Sequence, residues 1–231
     1  MIKVVLIDID DTLLSFTDYV RDAMRDGFAH FGIGVYREDM MPVATSINGK
    51  LWRQIERGEL TFEELQKIRW NMIFEALGID FDGLVFERYF RDYLYDSAIP
   101  VDGAMDMLEY LCPRYALYAA SNGPYDQQVN RLKTAGMYPY FRDFFISEKA
   151  GAQKPSEEFF DYCFRILRES GFDSLKPQET MIIGDSLTSD MAGGRAYGMK
   201  TCLFWRGEGP APEESGADHV VRDLREISKF L

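Results

Sequence analysis

Four branched apolar residues, Val4-Val5-Leu6-Ile7, stand near the start of the chain and run directly into Asp8-Ile9-Asp10-Asp11-Thr12. An unbroken apolar run, as opposed to an alternating one, predicts a strand buried on both faces of a parallel sheet. Its C-terminal end carries Asp8 and Asp10, and open α/β sheets bind their ligands at that end of their strands. Two residues apart in extended chain, the two carboxylates are expected to point the same way.

Beyond this strand the period changes. From 17 to 98, apolar residues recur every three or four positions and no strand pattern intrudes. Tyr19, Val20, Ala23, Met24, Phe28 and Phe31 form one stripe. Ile47, Leu51, Trp52 and Ile55 form another, in a helix predicted over 42–57. Thr61-Phe62-Glu63-Glu64 reads as a capping box that opens a third helix ending near Gly78, and a fourth covers 82–95.

From 100 onward helix and strand patterns alternate. Helices are predicted over 102–111, 125–135, 156–169 with Ser156 as N-cap, 189–197 and 224–230. Strands are predicted over 115–120, 144–147, 180–183, 200–205 and 219–221. This alternation predicts an α/β fold with a doubly wound parallel sheet. The helical stretch is too long for one crossover and reads as an insertion. The expected domains are therefore a sheet domain, 1–14 with 100–231, and a helical cap, 15–99, placed over the strand ends.

A length of 231 residues suits such a pair of domains. The formal charge of −12 disfavours a nucleic acid polymer or an acidic membrane as partner. Cys112, Cys163 and Cys202 are odd in number and far apart, and are expected as free, buried thiols in a reducing compartment. His30 and His219 are the two histidines, too few for a histidine zinc site beside other chemistry, and they make a Ser-His-Asp triad a poor reading. No signal peptide or membrane-length apolar run is present, so a cytoplasmic protein is expected, as a monomer or weak homodimer.

Three later segments change the reading of the first acids. Ser121-Asn122-Gly123 ends a strand and offers a hydroxyl and backbone N–H groups to a phosphate, although Asn-Gly is turn chemistry in any case. Lys154, before Pro155 and the Ser156 N-cap, offers an ammonium. Met181-Ile182-Ile183-Gly184-Asp185 repeats the pattern of a buried strand ending in an acid, with Asp190 just inside the next helix. Asp8, Asp10 and Asp185 together are oxygen ligands for a hard divalent cation, Mg²⁺ above others.

In this order, Asp8-Ile9-Asp10-Asp11-Thr12, Ser121-Asn122, Lys154-Pro155 and Gly184-Asp185 with Asp190 resemble the four motifs of the haloacid dehalogenase (HAD) superfamily. The resemblance spans the chain and implies a Rossmannoid sheet with a mobile cap of the C1 type. It implies Asp8 as nucleophile and metal ligand, and Asp10 as general acid and base with its carbonyl on the metal. Ser121 and Asn122 would bind phosphate, with Lys154 steadying Asp8 and the phosphate. Asp185 would ligate Mg²⁺, with Asp190 supporting it. The implied activity is hydrolysis of small phosphomonoesters through an aspartyl phosphate. A phosphomutase, a sugar or triose phosphate phosphatase, a 2-haloacid dehalogenase and an inactive binding protein are the alternatives, and an acid at Asp10 speaks against the dehalogenase.

The insert resembles that of nucleotidases acting on noncanonical pyrimidine 5′-nucleotides, in Asp11-Thr12-Leu13-Leu14-Ser15-Phe16, in Ile47-Asn48-Gly49-Lys50-Leu51-Trp52 and in Gly58-Glu59-Leu60-Thr61. Phe16 and Trp52 then read either as packing within the insert or as an aromatic face for a base or sugar. Asn48 and Lys50, in a stretch that reads as helix start or loop, are candidate polar contacts to the substrate.

Overall fold

The structure is a computed structural model describing residues 1–231, the side chain of Glu214 excepted. The chain forms two compact units, Met1–Ser15 with Pro100–Leu231, and Phe16–Ile99. β1 (Val4–Ile7) is fully buried, as its unbroken apolar run requires.

The second unit consists of α1 (Phe16–Phe31), α2 (Met41–Glu56), α3 (Phe62–Leu77) and α4 (Gly83–Asp96). Tyr19, Met24, Phe28, Trp70, Phe74, Phe86 and Phe90 fill its core. The Trp70 and Phe86 rings lie 4.3 Å apart between centroids. Thr61 and Glu64 form the capping box at the start of α3, and Gly78 ends that helix in the left-handed conformation. Inside the unit, Arg69 donates from Nη2 to Glu87 Oε1 at 2.6 Å, from Nε to Oε2 at 3.1 Å, and from Nη1 to Asn48 Oδ1 at 3.2 Å. This buried two-pronged pair and its amide partner tie α2, α3 and α4 together. Asn48 and Lys50 lie well inside α2, as the helix predicted over 42–57 requires, and not at a helix start or in a loop as their polar neighbours suggest. The Pro42 at the front of α2 is tolerated in its first turn, so the helix begins earlier than the polar residues.

The first unit resumes with α5 (Ala104–Leu111), β2 (Ala116–Ser121), α6 (Tyr125–Thr134), β3 (Asp143–Ile146), α7 (Ser147–Ala150), α8 (Glu157–Glu169), β4 (Thr180–Gly184), α9 (Ala192–Ala196), β5 (Lys200–Phe204) and β6 (His219–Val221). The strands form one parallel sheet in the order β3-β2-β1-β4-β5-β6. Succession reverses at β1, so the crevice outside its C-terminal end is the topological switch point. Alternation sorts the sheet into two cores. Val5 and Ile7 pack with Leu108, Leu132 and Leu224 on one face, while Val4 and Leu6 pack with Phe159, Phe160 and Phe164 of α8 on the other.

Where the chain departs for the second unit and where it returns are stitched together. Leu14 pairs antiparallel with Pro100, and the Val101 N–H donates to Leu13 O at 2.9 Å.

Three local expectations are corrected. The helix expected over 189–197 begins as a π-turn, Leu187–Met191, before α9. The closing segment is a 3₁₀ helix, Leu224–Lys229, entered through an Asp223 side-chain cap. Cys112 is exposed because it follows Leu108 and Leu111, which occupy the buried face of α5; Cys163 and Cys202 are buried, and all three thiols are free. Among the described residues no helix is long and apolar enough to cross a membrane.

Gly83 opens α4 directly against α3. Its N–H donates to Asn71 Oδ1 at 2.8 Å, and a Cβ there would lie 2.3 Å from the Asn71 backbone nitrogen. Alanine would gain up to ~1 kcal/mol of helix propensity. Overpacking against backbone costs ~1–3 kcal/mol and should prevail. Gly83→Ala is therefore expected to lower the urea midpoint by a net ~1–2 kcal/mol equivalent with unchanged m-value; an unchanged or raised midpoint would refute the close packing.

Candidate active site

Lys154 is the centre of the site. Its side chain is 1% exposed, and the ammonium donates to Asp8 Oδ1 at 2.7 Å, Asp190 Oδ1 at 2.6 Å and the Ala120 carbonyl at 2.6 Å. All three of its donors are thereby used. Burial alone would push the ammonium down, but Asp190 and Asp8 more than reverse this and hold it above the usual lysine range. Its backbone is also fixed: the Lys154 N–H donates to Asn122 Oδ1, and Asn122 Nδ2 donates to the Lys154 carbonyl, each at 2.9 Å.

Asp8, Asp185 and Asp190 bring carboxylate oxygens within 4.8 Å of one another. Burial pushes the Asp8 carboxyl up to about 7, against the pull of Lys154 and with the added push of Asp190 and Asp10. Asp185 is raised well above the usual carboxylate range, by burial first and then by Asp8, Asp190 and Asp11. Lys154 pairs with Asp8 and Asp190, and Asp185 stands beside them without an ammonium of its own, so the three carboxylates can all be ionised together only if further positive charge arrives. Oxygen ligands of this number and hardness fit a divalent cation.

Asp190 reaches this point through the π-turn. The Met191 N–H donates to Ser186 O at 3.0 Å, a five-residue span in place of the usual four. Ser186 Oγ accepts from the Ser189 N–H at 3.1 Å, and the Ser186 N–H donates to Asp190 Oδ2 at 3.2 Å. The turn thus folds Asp190 back beside Gly184 and onto Lys154.

Asp10 belongs to a different set of contacts. Its Oδ2 accepts from Gln128 Nε2 at 2.7 Å and its Oδ1 from Arg131 Nη1 at 2.6 Å. Gln128 Nε2 also donates to Ser121 Oγ at 2.8 Å, and Gln128 Oε1 accepts from Arg131 at 2.8 Å. The expected common direction of Asp8 and Asp10 therefore does not hold. β1 ends at Ile7, and the N–H groups of Leu13 and Leu14 fold back onto Ile9 O, each at 2.9 Å. Asp11 takes a left-handed φ of 55° in this turn, a conformation aspartate tolerates, and Arg206 Nη1 donates to its Oδ1 at 2.6 Å.

Residues 2–198 match the haloacid dehalogenase-like hydrolase family. The chain belongs to this family. This HAD hydrolase is 33% identical over 229 residues to YfnB of Bacillus subtilis, covering 99% of this chain and 95% of that protein. A crystal structure of YfnB bound to magnesium, described as revealing interdomain movement, matches with a TM-score of 0.88 over 100% of this chain and 98% of that one. The pyrimidine 5′-nucleotidase PynA of Streptococcus pneumoniae is 33% identical over 206 residues, 87% of this chain and 83% of that protein. The pyrimidine 5′-nucleotidase YjjG of Escherichia coli is 26% identical over 227 residues, 98% of this chain and 96% of that protein.

The HAD hydrolase brings Asp8, Lys154, Asp185 and Asp190 to one point, with Ser121 and Asp10 joined beside it through Gln128. Phe16 is half-buried against Tyr19 and Phe90, with ring centroids 5.5 and 6.3 Å away. Trp52 is half-buried against Phe62, 5.7 Å between centroids. Asn48 accepts from Arg69, and Lys50 is exposed. Gln128 and Arg131 were missed from the sequence, as was the part played by the Asn122 side chain. The available signal was an amide and a guanidinium on the same stripe of α6 as buried Val129 and Leu132.

Gly184 leaves the slot that Asp190 fills: a Cβ there would lie 2.1 Å from Asp190 Oδ2. Gly184→Ala is expected to dislodge Asp190 from Lys154 and cost ~2–4 kcal/mol in chemical denaturation, since a buried charge loses its partner. Wild-type stability in this variant would refute the arrangement.

Proposed function

We propose that this HAD hydrolase is a Mg²⁺-dependent phosphatase that works through an aspartyl phosphate on Asp8, with pyrimidine nucleoside 5′-monophosphates as its substrates. The observation that carries the reading is the buried Lys154 ammonium shared by Asp8 and Asp190 beside Asp185, with a second acid, Asp10, held apart on other partners. Asp8, Asp185 and the Asp10 carbonyl would hold the metal, with Asp190 behind them. When bound, the cation supplies charge neutralisation of phosphate and carboxylates.

In the first step an Asp8 carboxylate oxygen attacks phosphorus, the bond to the leaving oxygen breaks, and Asp10 gives that oxygen a proton. In the second, water attacks the aspartyl phosphate, Asp10 takes the water proton, and the Asp8 carboxylate leaves as phosphate departs. Ser121 and the Asn122 N–H bind the phosphate oxygens, while Lys154 favours the ionised Asp8 needed for attack.

The nucleotide assignment is supported by likeness to PynA and YjjG. We assign the nucleoside end to Phe16, Asn48, Lys50 and Trp52, whose rings and amide suit a planar base better than a polyhydroxyl sugar. Asn48 has its carbonyl committed to Arg69, so a contact to the base runs through its amide.

A panel of nucleoside monophosphates, sugar and triose phosphates and 4-nitrophenyl phosphate, assayed with Mg²⁺ and with EDTA, tests both levels. Expected are metal-dependent phosphate release, the highest kcat/KM on pyrimidine monophosphates, and loss of turnover in folded Asp8→Asn. A sugar phosphate as best substrate would overturn the nucleotide assignment alone; turnover in Asp8→Asn would overturn the nucleophile.

A pH dependence follows from Asp8. Its folded-state value of about 7 lies above the ordinary 3.8, so without metal the folded state holds a proton that the unfolded chain has lost between these values. That share of metal-free stability is present below the unfolded value and disappears as pH rises toward 7. A cation must displace the proton, so the Mg²⁺-induced rise in Tm should grow between about pH 5.5 and 8. A pH-independent rise would contradict the assignment of Asp8 as a ligand.

A further inference from the structure

We propose that Gln128 and Arg131 of α6 are positioning residues for the acid–base group, fixing the Asp10 carboxylate and registering it against Ser121. The inference rests on the phosphatase reading and adds a device to it. Gln128 and Arg131 are spaced by three residues and share one helix face. Each is 1% exposed, whereas the Asp10 side chain is 31% exposed and stands in the turn after β1. Left to itself, an acid in that position would sample several rotamers. Here each of its oxygens accepts one hydrogen bond, Oδ2 from the Gln128 amide and Oδ1 from the Arg131 guanidinium, which orients the carboxylate and leaves a second lone pair for the proton that Asp10 gives and takes.

The orientation of the amide is itself determined. Arg131 donates to Gln128 Oε1, so the two Nε2 hydrogens are left to face Asp10 and Ser121. A flipped amide would set its carbonyl against a carboxylate and its N–H groups against a guanidinium. One Nε2 therefore spans the acid–base residue and the phosphate-binding hydroxyl, and sets the direction from which a proton reaches a leaving oxygen when phosphate sits on Ser121. The buried face of α6 carries the geometry, and the half-buried Asp10 receives it.

The test separates positioning from general structural support. Gln128→Leu, Gln128→Glu, Arg131→Met and Arg131→Lys are assayed with Mg²⁺ on uridine 5′-monophosphate, whose alkoxide leaving group needs a proton, and on 4-nitrophenyl phosphate, whose leaving group needs little. The readout is kcat/KM, which ends at formation of the phosphoenzyme and so isolates proton donation to the leaving group. Gln128→Leu and Arg131→Met are expected to lose ~10–100-fold on the nucleotide and several-fold less on the aryl ester, a part of the ~10²–10⁴-fold that acid–base catalysis supplies. Arg131→Lys should restore part of the nucleotide rate. In an Asp10→Asn background, Gln128→Leu should leave the ratio between the two substrates where Asp10→Asn alone puts it.

Circular dichroism and melting show which variants fold. Gln128→Glu preserves size and the acceptor for Arg131, and serves if the leucine variant does not fold. Equal losses on both substrates, or a further change of the ratio in the Asp10→Asn background, would overturn the positioning role while leaving the phosphatase reading intact. A wild-type protein that hydrolyses neither ester would overturn both.

Discussion

A lysine ammonium cannot be taken out of water without acceptors for all its hydrogens, and Lys154 is buried almost completely. Desolvation of a lone charge of this kind costs several kcal/mol even after relaxation. Its three acceptors come from three places in the chain: Asp8 after β1, Ala120 in β2 and Asp190 after β4. Satisfying one side chain thus draws the ends of three adjacent strands to one point. The Asn122 side chain secures the lysine backbone from β2 as well. The acids that satisfy the lysine, with Asp185, outnumber it, and full ionisation of all three needs further positive charge, so the same arrangement leaves a site that fits a cation.

The second acid is kept out of this arrangement. Asp8 faces a lysine and two further carboxylates, and Asp10, two residues on, faces an amide and a guanidinium. Their environments differ because the chain turns sharply after Ile9, which sends the two side chains to partners preceding α8 and within α6. In the proposed reaction Asp8 is the nucleophile and Asp10 the acid–base group, and two carboxylates in one shared environment would struggle to meet both demands.

The sheet and the helical insert were legible because their patterns are strong: buried strands read as unbroken apolar runs, and the insert as helical stripes. The residues at strand ends were legible for the same reason, since Asp8, Ser121 and Asp185 each follow such a run. Gln128 and Arg131 were not, because a helix face is recognised by its apolar members, and polar residues on it look like solvent-facing neighbours until a partner is seen. The π-turn at Leu187–Met191 escaped as well. Nothing in Leu-Thr-Ser-Asp-Met distinguishes a five-residue span from a four-residue one; the difference arises from Asp190 being pulled back toward Lys154 and Ser186. At Asn48 two signals compete: its polar neighbours suggest a helix start or loop, and the apolar stripe through Leu51 and Ile55, which decides the outcome with Ala44, keeps it in a helix.

The stitch between Leu13-Leu14 and Pro100-Val101 makes the entire stretch Phe16–Ile99, for the sheet unit, a loop whose two ends are already closed. Closing a flexible loop grows dearer only by ~0.6 kcal/mol per doubling of its length. With both ends pinned by backbone pairing, the sheet unit is nearly indifferent to how many residues hang between them. Such a junction works as a socket: what is plugged into it could be lengthened, shortened or exchanged at little cost to the register of the sheet unit's strands.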